Sequence, residues 1–506
     1  MSHGNQRVLA LPAGEYFDIL KKIYIEGKNN LDWAINIITN SDYIKPYKDF
    51  IDSKAQVIIM PTLLKKQIWE DDAEQVKKIQ QIMVEAEKAT HVPLARILLS
   101  NERTLGRAYS QRNYYWAESK VARLVLKDKT VSDAILLRLF RFAIDVMEKF
   151  NPTLCLGAPT GGTINTVFYF ISKYYDIPYV SCMASLVASK RHFWASDWGT
   201  FNTKVAFEFS RKLKTHAQPS ESSLQYVYDF AYKPMPLAHY RSMWTDTSRA
   251  MNLTNINKNI VNRTIHRLVP IIKRQKVADH KPWLQFIIDS YRTYFLKRVQ
   301  KKFYASYSVE ELSKFNYIYY PFHLDPEIVL NVQAPFWHSQ FNTIKLLSCN
   351  LPAGYKLLVR EHRYNTGRRS NRYYKELLKL PGVVLLNAFD NQYKYIQHAK
   401  LVVTVNGTTG FEGIMFGRPV MTLDRTFYDA LGLSTRPASY VDFGATILDL
   451  IQSNESEKSH AEKIALFIDA EHDATIDNDA EPRLDIAAIH EVANNFGKHY
   501  TRHKKV

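Results

Sequence analysis

Cysteine is scarce in this chain, and its three residues, Cys155, Cys182 and Cys349, show no Cys-x-x-Cys spacing. That argues against a disulfide framework and a thiolate zinc site, and it fits a reducing compartment. Long apolar runs are missing as well. No run of eighteen apolar residues occurs, and the nearest, Ala134–Met147, is broken by Arg138 and Arg141, so no membrane span is expected. The apolar run within MSHGNQRVLALPAGEYF is too short for a secretory signal, and a cytoplasmic protein is expected. Internal repeats of fixed short period and low-complexity tracts are also lacking. The single Asp-x-Asp, Asp477-Asn478-Asp479, lies in a polar C-terminal loop and reads as solvated rather than metal-bearing. Acidic residues are in deficit: 50 against 67 Lys and Arg give a net charge of +17. This balance favours a polyanion, an anionic membrane surface or a phosphorylated substrate.

What is present describes a globular chain. With 46% hydrophobic and 23% charged residues over 506 positions, two domains are the default. Arg7–Ala13 and Ala55–Met60 read as strands with an amphipathic, helix-like stretch between them. Asp71–Thr90 and Ser132–Phe150 read as helices. Pro152–Gly157 is a buried-strand candidate; the loop Ala158–Thr163 leads from it into a helix over Ile164–Tyr175, and Ile177–Cys182 is the next strand. Alternation of this kind predicts a doubly wound sheet. Its Gly161-Gly162 turn lies where ligands approach such sheets, though a plain tight turn fits equally. Arg103 and Arg107, in a loop over Ser100–Arg107, are either substrate contacts or solvated arginines. Strand signals fade from about Lys190, and Lys258–Lys302 is strongly basic, aromatic and helical in texture. Strand patterning resumes at Asn316–Tyr320, the expected start of a second domain, and continues through Tyr355–Val359, Val383–Leu386, Leu401–Val405 and Val420–Leu423.

Leu401–Leu423 (LVVTVNGTTGFEGIMFGRPVMTL) is the most informative stretch. An apolar strand is broken by Asn406 and Gly407, Thr408 or Thr409 caps a helix, and Gly417-Arg418-Pro419 stops it. A strand, a small polar turn and a helix N-terminus make an anion site. Glu412 is placed to accept ribose hydroxyls. Two further polar clusters follow predicted strands: His323, Asp325 and Glu327, then Arg360, Glu361, His362 and Arg363. C-terminal strand ends share one edge of a parallel sheet, so these loops are expected to converge. The arginines and His362 then neutralise a phosphate while Gly407, Thr408 and Thr409 hold it. Glu327 or Asp325 serves as base or nucleophile, and His323 as proton carrier or phosphate donor.

The series YIYYPFHLDPE, LPAGYKLLVREHR and VVTVNGTTGFEGIMFGRPVMTLDRTFY resembles the capsule and surface-polysaccharide biosynthesis glycosyltransferases, a family related to the Kdo transferases of capsule synthesis. His323, Pro326, Glu327, Glu361, His362, Gly407, Thr408, Glu412, Gly417 and Pro419 match that family's pattern. Phe322, Arg360, Arg363 and Gly413 depart from it. The resemblance spans about Asn316–Tyr428. It implies an α/β fold of GT-B type: two Rossmann-like domains facing a cleft, here with a helical basic insert over about 190–313. The expected domains are 1–315 on the acceptor side and 316–506 on the nucleotide-sugar donor side. The implied activity is transfer of a sugar from a nucleotide-activated donor onto a surface-polysaccharide or lipid-linked glycan acceptor. No cofactor or metal is implied, because helix dipoles and basic side chains stabilise the leaving phosphate. His323, Glu327 and His362 are the implied catalytic residues on the donor side.

Two rival readings remain at this level. One is a teichoic-acid-type glycerophosphotransferase with a CDP-linked donor. The other is a basic nucleic-acid-binding protein, which the lack of any RNP, KH, zinc-finger or helix-turn-helix signature disfavours. Docking of Lys258–Lys302 on the inner face of the membrane is a further expectation, from its charge and from Trp283, Phe286, Tyr291, Tyr294 and Phe295.

Overall fold

The computed structural model describes residues 6–12, 16–39, 56–59, 73–100, 130–235, 237, 257–258, 260–262, 264–265, 283–325, 327–453 and 457–496. Strands buried on both faces organise them. The first sheet takes β1 (Arg7–Ala10), β2 (Ala34–Thr39), β3 (Gln56–Ile59), β4 (Leu154–Gly157), β5 (Tyr179–Ala184) and β6 (Arg191–Ala195). The second takes β7 (Asn316–Pro321), β8 (Tyr355–Arg360), β9 (Val383–Leu386), β10 (Leu401–Thr404) and β11 (Val420–Thr422). A last short strand, β12 (Ile476–Asp477), returns to the edge of the first sheet beside β6.

The two sheets repeat one winding. In the first the parallel order is β3-β2-β1-β4-β5, extended by antiparallel β6 and β12; in the second it is β9-β8-β7-β10-β11, all parallel. Both orders reverse direction between a first strand and a fourth, the switch point where α/β sheets leave a crevice at their C-terminal edge. The expected pair of Rossmann-like sheets is therefore present.

Alternation along each strand explains the layers. Leu9 and Cys155 face a core made with Ile79 and Ile82 of α2 (Ala73–Thr90), Leu139 and Phe140 of α3 (Thr130–Phe150), and Val167 and Phe170 of α4 (Thr163–Tyr174). Their neighbours Val8 and Leu154 face Leu20 and Ile23 of α1 (Phe17–Asn30), together with Ile486 and Ile489 from the C-terminal part of the chain. In the second sheet Tyr317, Leu358 and Val402 face one core, and Ile318, Leu357 and Val403 the other.

Helices α5 (Thr203–Lys214) and α6 (Glu221–Tyr232) fall where the basic insert was expected, and α7 (Trp283–Gln300) ends it. After α8 (Thr408–Met415), helix α9 (Glu457–Asp473) seals α5 and α6 against the second sheet, with Phe467 meeting Phe209 at 5.6 Å and Phe411 at 6.0 Å between ring centroids. The chain then runs through β12 into α10 (Pro482–Asn494), which packs on the first sheet and α1.

Several expectations are corrected. β2 lies inside the stretch read as helix-like, and β6 lies where strand signals fade. β6 carries His192, a poor strand signal, because its ring is held by Asp485 (Nε2 to Oδ1 2.6 Å) and Asn478 (Nδ1 to Oδ1 2.9 Å), far along the sequence. Asp477 and Asn478 belong to that edge pairing rather than to a purely solvated loop, as Asn478 also donates its backbone N–H to Lys190 O. Arg103 and Arg107 lie outside the described residues, as do the side chains of Trp283 and Phe286.

Candidate active site

The switch points of the two sheets open onto a common cleft of about 470 Å³. Pro12 after β1, Ala158, Gly161 and Gly162 after β4, and Met183 and Ala184 on β5 form one side. Glu327 to Val329 and Gln333 after β7, with Asn406, Gly407 and Thr408 after β10, form the other. Its size is that of a small-ligand site, roughly 300–1,000 Å³. Two helices begin at its wall, α4 and α8. Their N-caps are Gly162 and Gly407, and neither has a side-chain cap. The expectation that Thr408 or Thr409 caps α8 is thus corrected: both lie inside the helix. Their N–H groups, which have no acceptor within the helix, carry its positive end at the surface.

Of the residues singled out from sequence, Glu327, Gly407 and Thr408 line the cleft, and Thr409 follows in the same half-exposed turn. The others lie deeper or to one side. His323, 8% exposed, bolts β7 to β10: its Nε2 accepts from Val405 N–H and stands 3.3 Å from Thr404 Oγ1. A backbone N–H can only donate, so Nε2 carries no proton; burial agrees, pushing this imidazole down to about 4. Its backbone N–H donates to Gln340 Oε1 at 2.6 Å.

His362 is held in the same way, Nδ1 accepting from Tyr364 N–H at 3.3 Å. Burial, then Arg360, His323, Arg369 and Arg363, push it down to about 3. Glu361 is fully buried. Its Oε1 accepts from His362 N–H at 2.7 Å, and its Oε2 accepts from Arg369 Nε at 2.9 Å and Tyr374 OH at 2.8 Å. Arg360 is spent on Gln392 Oε1 and the carbonyls of Ala388 and Asp390; Arg363 also donates to Ala388 O. Glu412, 3% exposed, accepts from Gln392 Nε2 at 3.0 Å beneath the turn. Burial pushes its carboxyl up to about 8, partly offset by Arg360.

No Lys, Arg or His is among the described residues lining the cleft. Positive potential there comes from the two helix ends, not from the arginines that sequence reasoning favoured. Sequence reasoning also passed over several lining residues. Asn165 Oδ1, Thr200 Oγ1 and Asn406 Oδ1 are buried without a hydrogen-bond partner. Glu471 reaches the cleft from α9. Asn406 stands inside the stretch already singled out, where it reads only as a strand breaker; Glu471 sits among other acids near the C-terminal end of α9, with no local signal.

Comparison with known proteins bears on the second half of the chain. Residues 234–443 match the family model described as capsule polysaccharide biosynthesis protein. The capsule polysaccharide modification protein LipB of Neisseria meningitidis, from a serogroup A and a serogroup B strain, is 24% identical over 165 residues, covering 30% of this chain. The chain spans 38% of the length of these curated relatives. Among solved structures, KpsC of Thermosulfurimonas dismutans, titled a beta Kdo 2,7 transferase, is 11% identical at a TM-score of 0.30, over 64% of this chain and 79% of that one. CalG4, the calicheamicin glycosyltransferase, is 9% identical at a TM-score of 0.28, over 97% and 99%. Likenesses this faint carry no weight for activity. Over residues 234–443, then, the chain is similar to the capsule polysaccharide biosynthesis protein family.

Proposed function

We propose that the protein is a glycosyltransferase that moves a sugar from a nucleotide-activated donor onto a surface-polysaccharide or lipid-linked glycan acceptor. The observation that carries this reading is the convergence of two sheet switch points on one cleft, with α8 opening into it uncapped. A helix N-terminus at the C-terminal edge of a parallel sheet binds phosphate without a metal ion. The donor phosphate rests on the N–H groups of Thr408 and Thr409, beside Gly407. Glu412 takes the ribose by exchanging its bond to Gln392 for ribose hydroxyls. His362, neutral in the free protein, gains a proton or donates through its free ring nitrogen as the phosphate departs. Glu327 stands on the donor side of the cleft, and His323 fixes the turn from below. The unpartnered oxygens of Asn165, Thr200 and Asn406 suit a polyhydroxylated ligand, because sugar hydroxyls supply the donors they lack.

In this reading residues 1–315 form the acceptor side and 316–506 the donor side, with Ile476–Asn494 returned to the first sheet. It includes no nucleic-acid partner. The enzyme works in the cytoplasm, at the inner face of the membrane, where lipid-linked acceptors are met. Thermal-shift measurements with CMP, CDP, UDP and GDP test it. A nucleotide at ~100 times its Kd stabilises by ~2.7 kcal/mol. A preference for CDP favours a CDP-linked polyol phosphate donor, and no response to any of the four overturns the reading.

A further inference from the structure

We propose that Glu471 is the general base of the transfer, taking the proton from the acceptor hydroxyl as that oxygen attacks the sugar. This inference rests on the glycosyl-transfer reading and adds to it the residue on which the reaction depends for deprotonation. Glu471 lies in the last turns of α9, 4% exposed, yet it lines the cleft into which α8 opens. The other carboxyl of the described lining is Glu327, which sits across the cleft with the elements of the second sheet.

The surroundings of Glu471 suit a base. Ser185, just beyond β5, donates its hydroxyl to Glu471 Oε1 at 2.7 Å, and the same Oγ accepts the N–H groups of Val187 and Ala188. That chain of bonds fixes the carboxyl without neutralising it. No salt bridge to Glu471 occurs among the described residues. The charged groups on the elements packed around it are turned elsewhere. Arg191, Lys212, Asp469, His472, Asp473 and Asp477 line a separate pocket, and Lys212 is paired with Asp473 at 2.7 Å. Burial therefore acts on Glu471 almost unopposed and pushes it up to about 7, with the Ser185 bond pulling the other way. A carboxylate tuned to neutral pH is a far stronger base than a solvated one, and the range suits proton abstraction.

The step balances without a further reactant. The acceptor O–H proton passes to the Glu471 carboxylate, and the oxygen's electron pair forms the new bond to the anomeric carbon. The bond from that carbon to the donor phosphate breaks, and its electrons leave on the nucleotide at the N-terminus of α8. Glu471 then returns the proton to solvent.

The test follows release of free nucleotide from a panel of CMP-, UDP- and GDP-linked sugars, with water standing in for the acceptor hydroxyl. Wild-type release should rise with pH through about 7 as the base ionises. Glu471→Gln should abolish this limb and slow release by ~10²–10⁴-fold, while nucleotide-induced thermal shifts persist. Ser185→Ala removes the bond that favours the carboxylate, so it should move the limb to higher pH; a purely structural Glu471 would not respond in this way. Azide or formate should restore part of the rate in Glu471→Ala. A limb that survives Glu471→Gln, or that vanishes instead in Glu327→Gln, overturns the role of Glu471 and leaves glycosyl transfer standing. Failure of every nucleotide to bind overturns both.

Discussion

His323 and Gly407 occupy touching positions at the ends of β7 and β10: a Cβ added at Gly407 would stand 2.8 Å from His323 Cε1 and 3.1 Å from Thr404 Oγ1. The glycine is required by this approach and not by its backbone angles, which any residue adopts (φ −81°, ψ 164°). Gly407→Ala should therefore destabilise by ~1–3 kcal/mol through overpacking and weaken nucleotide binding by displacing the turn. Denaturant unfolding and calorimetric titration measure the two effects. Adding His323→Ala should recover part of the stability, because the clash is with that ring. Strict additivity of the two substitutions would refute the contact as the cause.

Glu412 gives a pH-dependent prediction. Its carboxyl is raised to about 8 in the fold, against ~4.3 in an unfolded chain. Between these values the unfolded state has lost the proton that the folded state keeps, so stability falls as pH rises through this window. Glutamine carries no such penalty. Glu412→Gln should melt with the wild type near pH 4 and above it at pH 8, by an amount on the order of 2–4 kcal/mol. Nucleotide affinity of the same variant tests the ribose contact, and an unchanged Kd removes Glu412 from the site.

Asp485 anchors the C-terminal segment, accepting from Trp194 Nε1 at 2.9 Å as well as meeting His192. Asp485→Ala leaves two buried ring nitrogens on β6 without their acceptor, at ~1–3 kcal/mol each. Faster amide exchange confined to β5, β6 and β12 is the expected outcome. Uniform protection in those strands would mean that the pairing does not depend on Asp485.

The basic helix α7 tests membrane docking. Tyr294 is buried and Lys297 half-buried, held down to about 8 by burial and Arg368, whereas Phe295, Ile288 and Val299 are exposed beside Arg298, Lys301 and Lys302. The docking face is thus narrower than composition suggests. Replacing Arg298, Lys301 and Lys302 by Glu should release the protein from anionic vesicles at low salt, each charge contributing ~1 kcal/mol near the surface. Co-sedimentation that is indifferent to these changes, or to salt, would leave the face simply solvated.

Winding and switch points were legible because they rest on local pattern. Apolar strands such as Leu401–Thr404, followed by Asn-Gly and a helix, declare themselves within a dozen residues. So did the meeting of the loops after β7 and β10 at one cleft, whereas no residue of the loop after β8 is among its described lining. The division of labour among the polar residues was not legible. Arg360 and Glu361 follow a strand as ligand-binding residues do, yet their partners Gln392, Ala388, Arg369 and Tyr374 turn both groups inward. β2 was lost to a helical periodicity shared by strands buried on both faces, and β6 to its polar His192. Glu471 was invisible because Ser185 and the cleft reach it only through the tertiary fold.

The return of β12 to the first sheet also sets an order of assembly. His192 waits for Asp485 across 293 positions of chain. At a synthesis rate of ~5–20 residues per second, that is roughly 15–60 s during which the β6 edge has emerged and its covering segment has not. In that interval the whole second sheet is made while the first presents an open strand edge, the feature most prone to pair with another chain. Efficient production in the cell therefore depends on something shielding β6, or on slow closure of the first sheet, until Ile476–Asn494 has been translated.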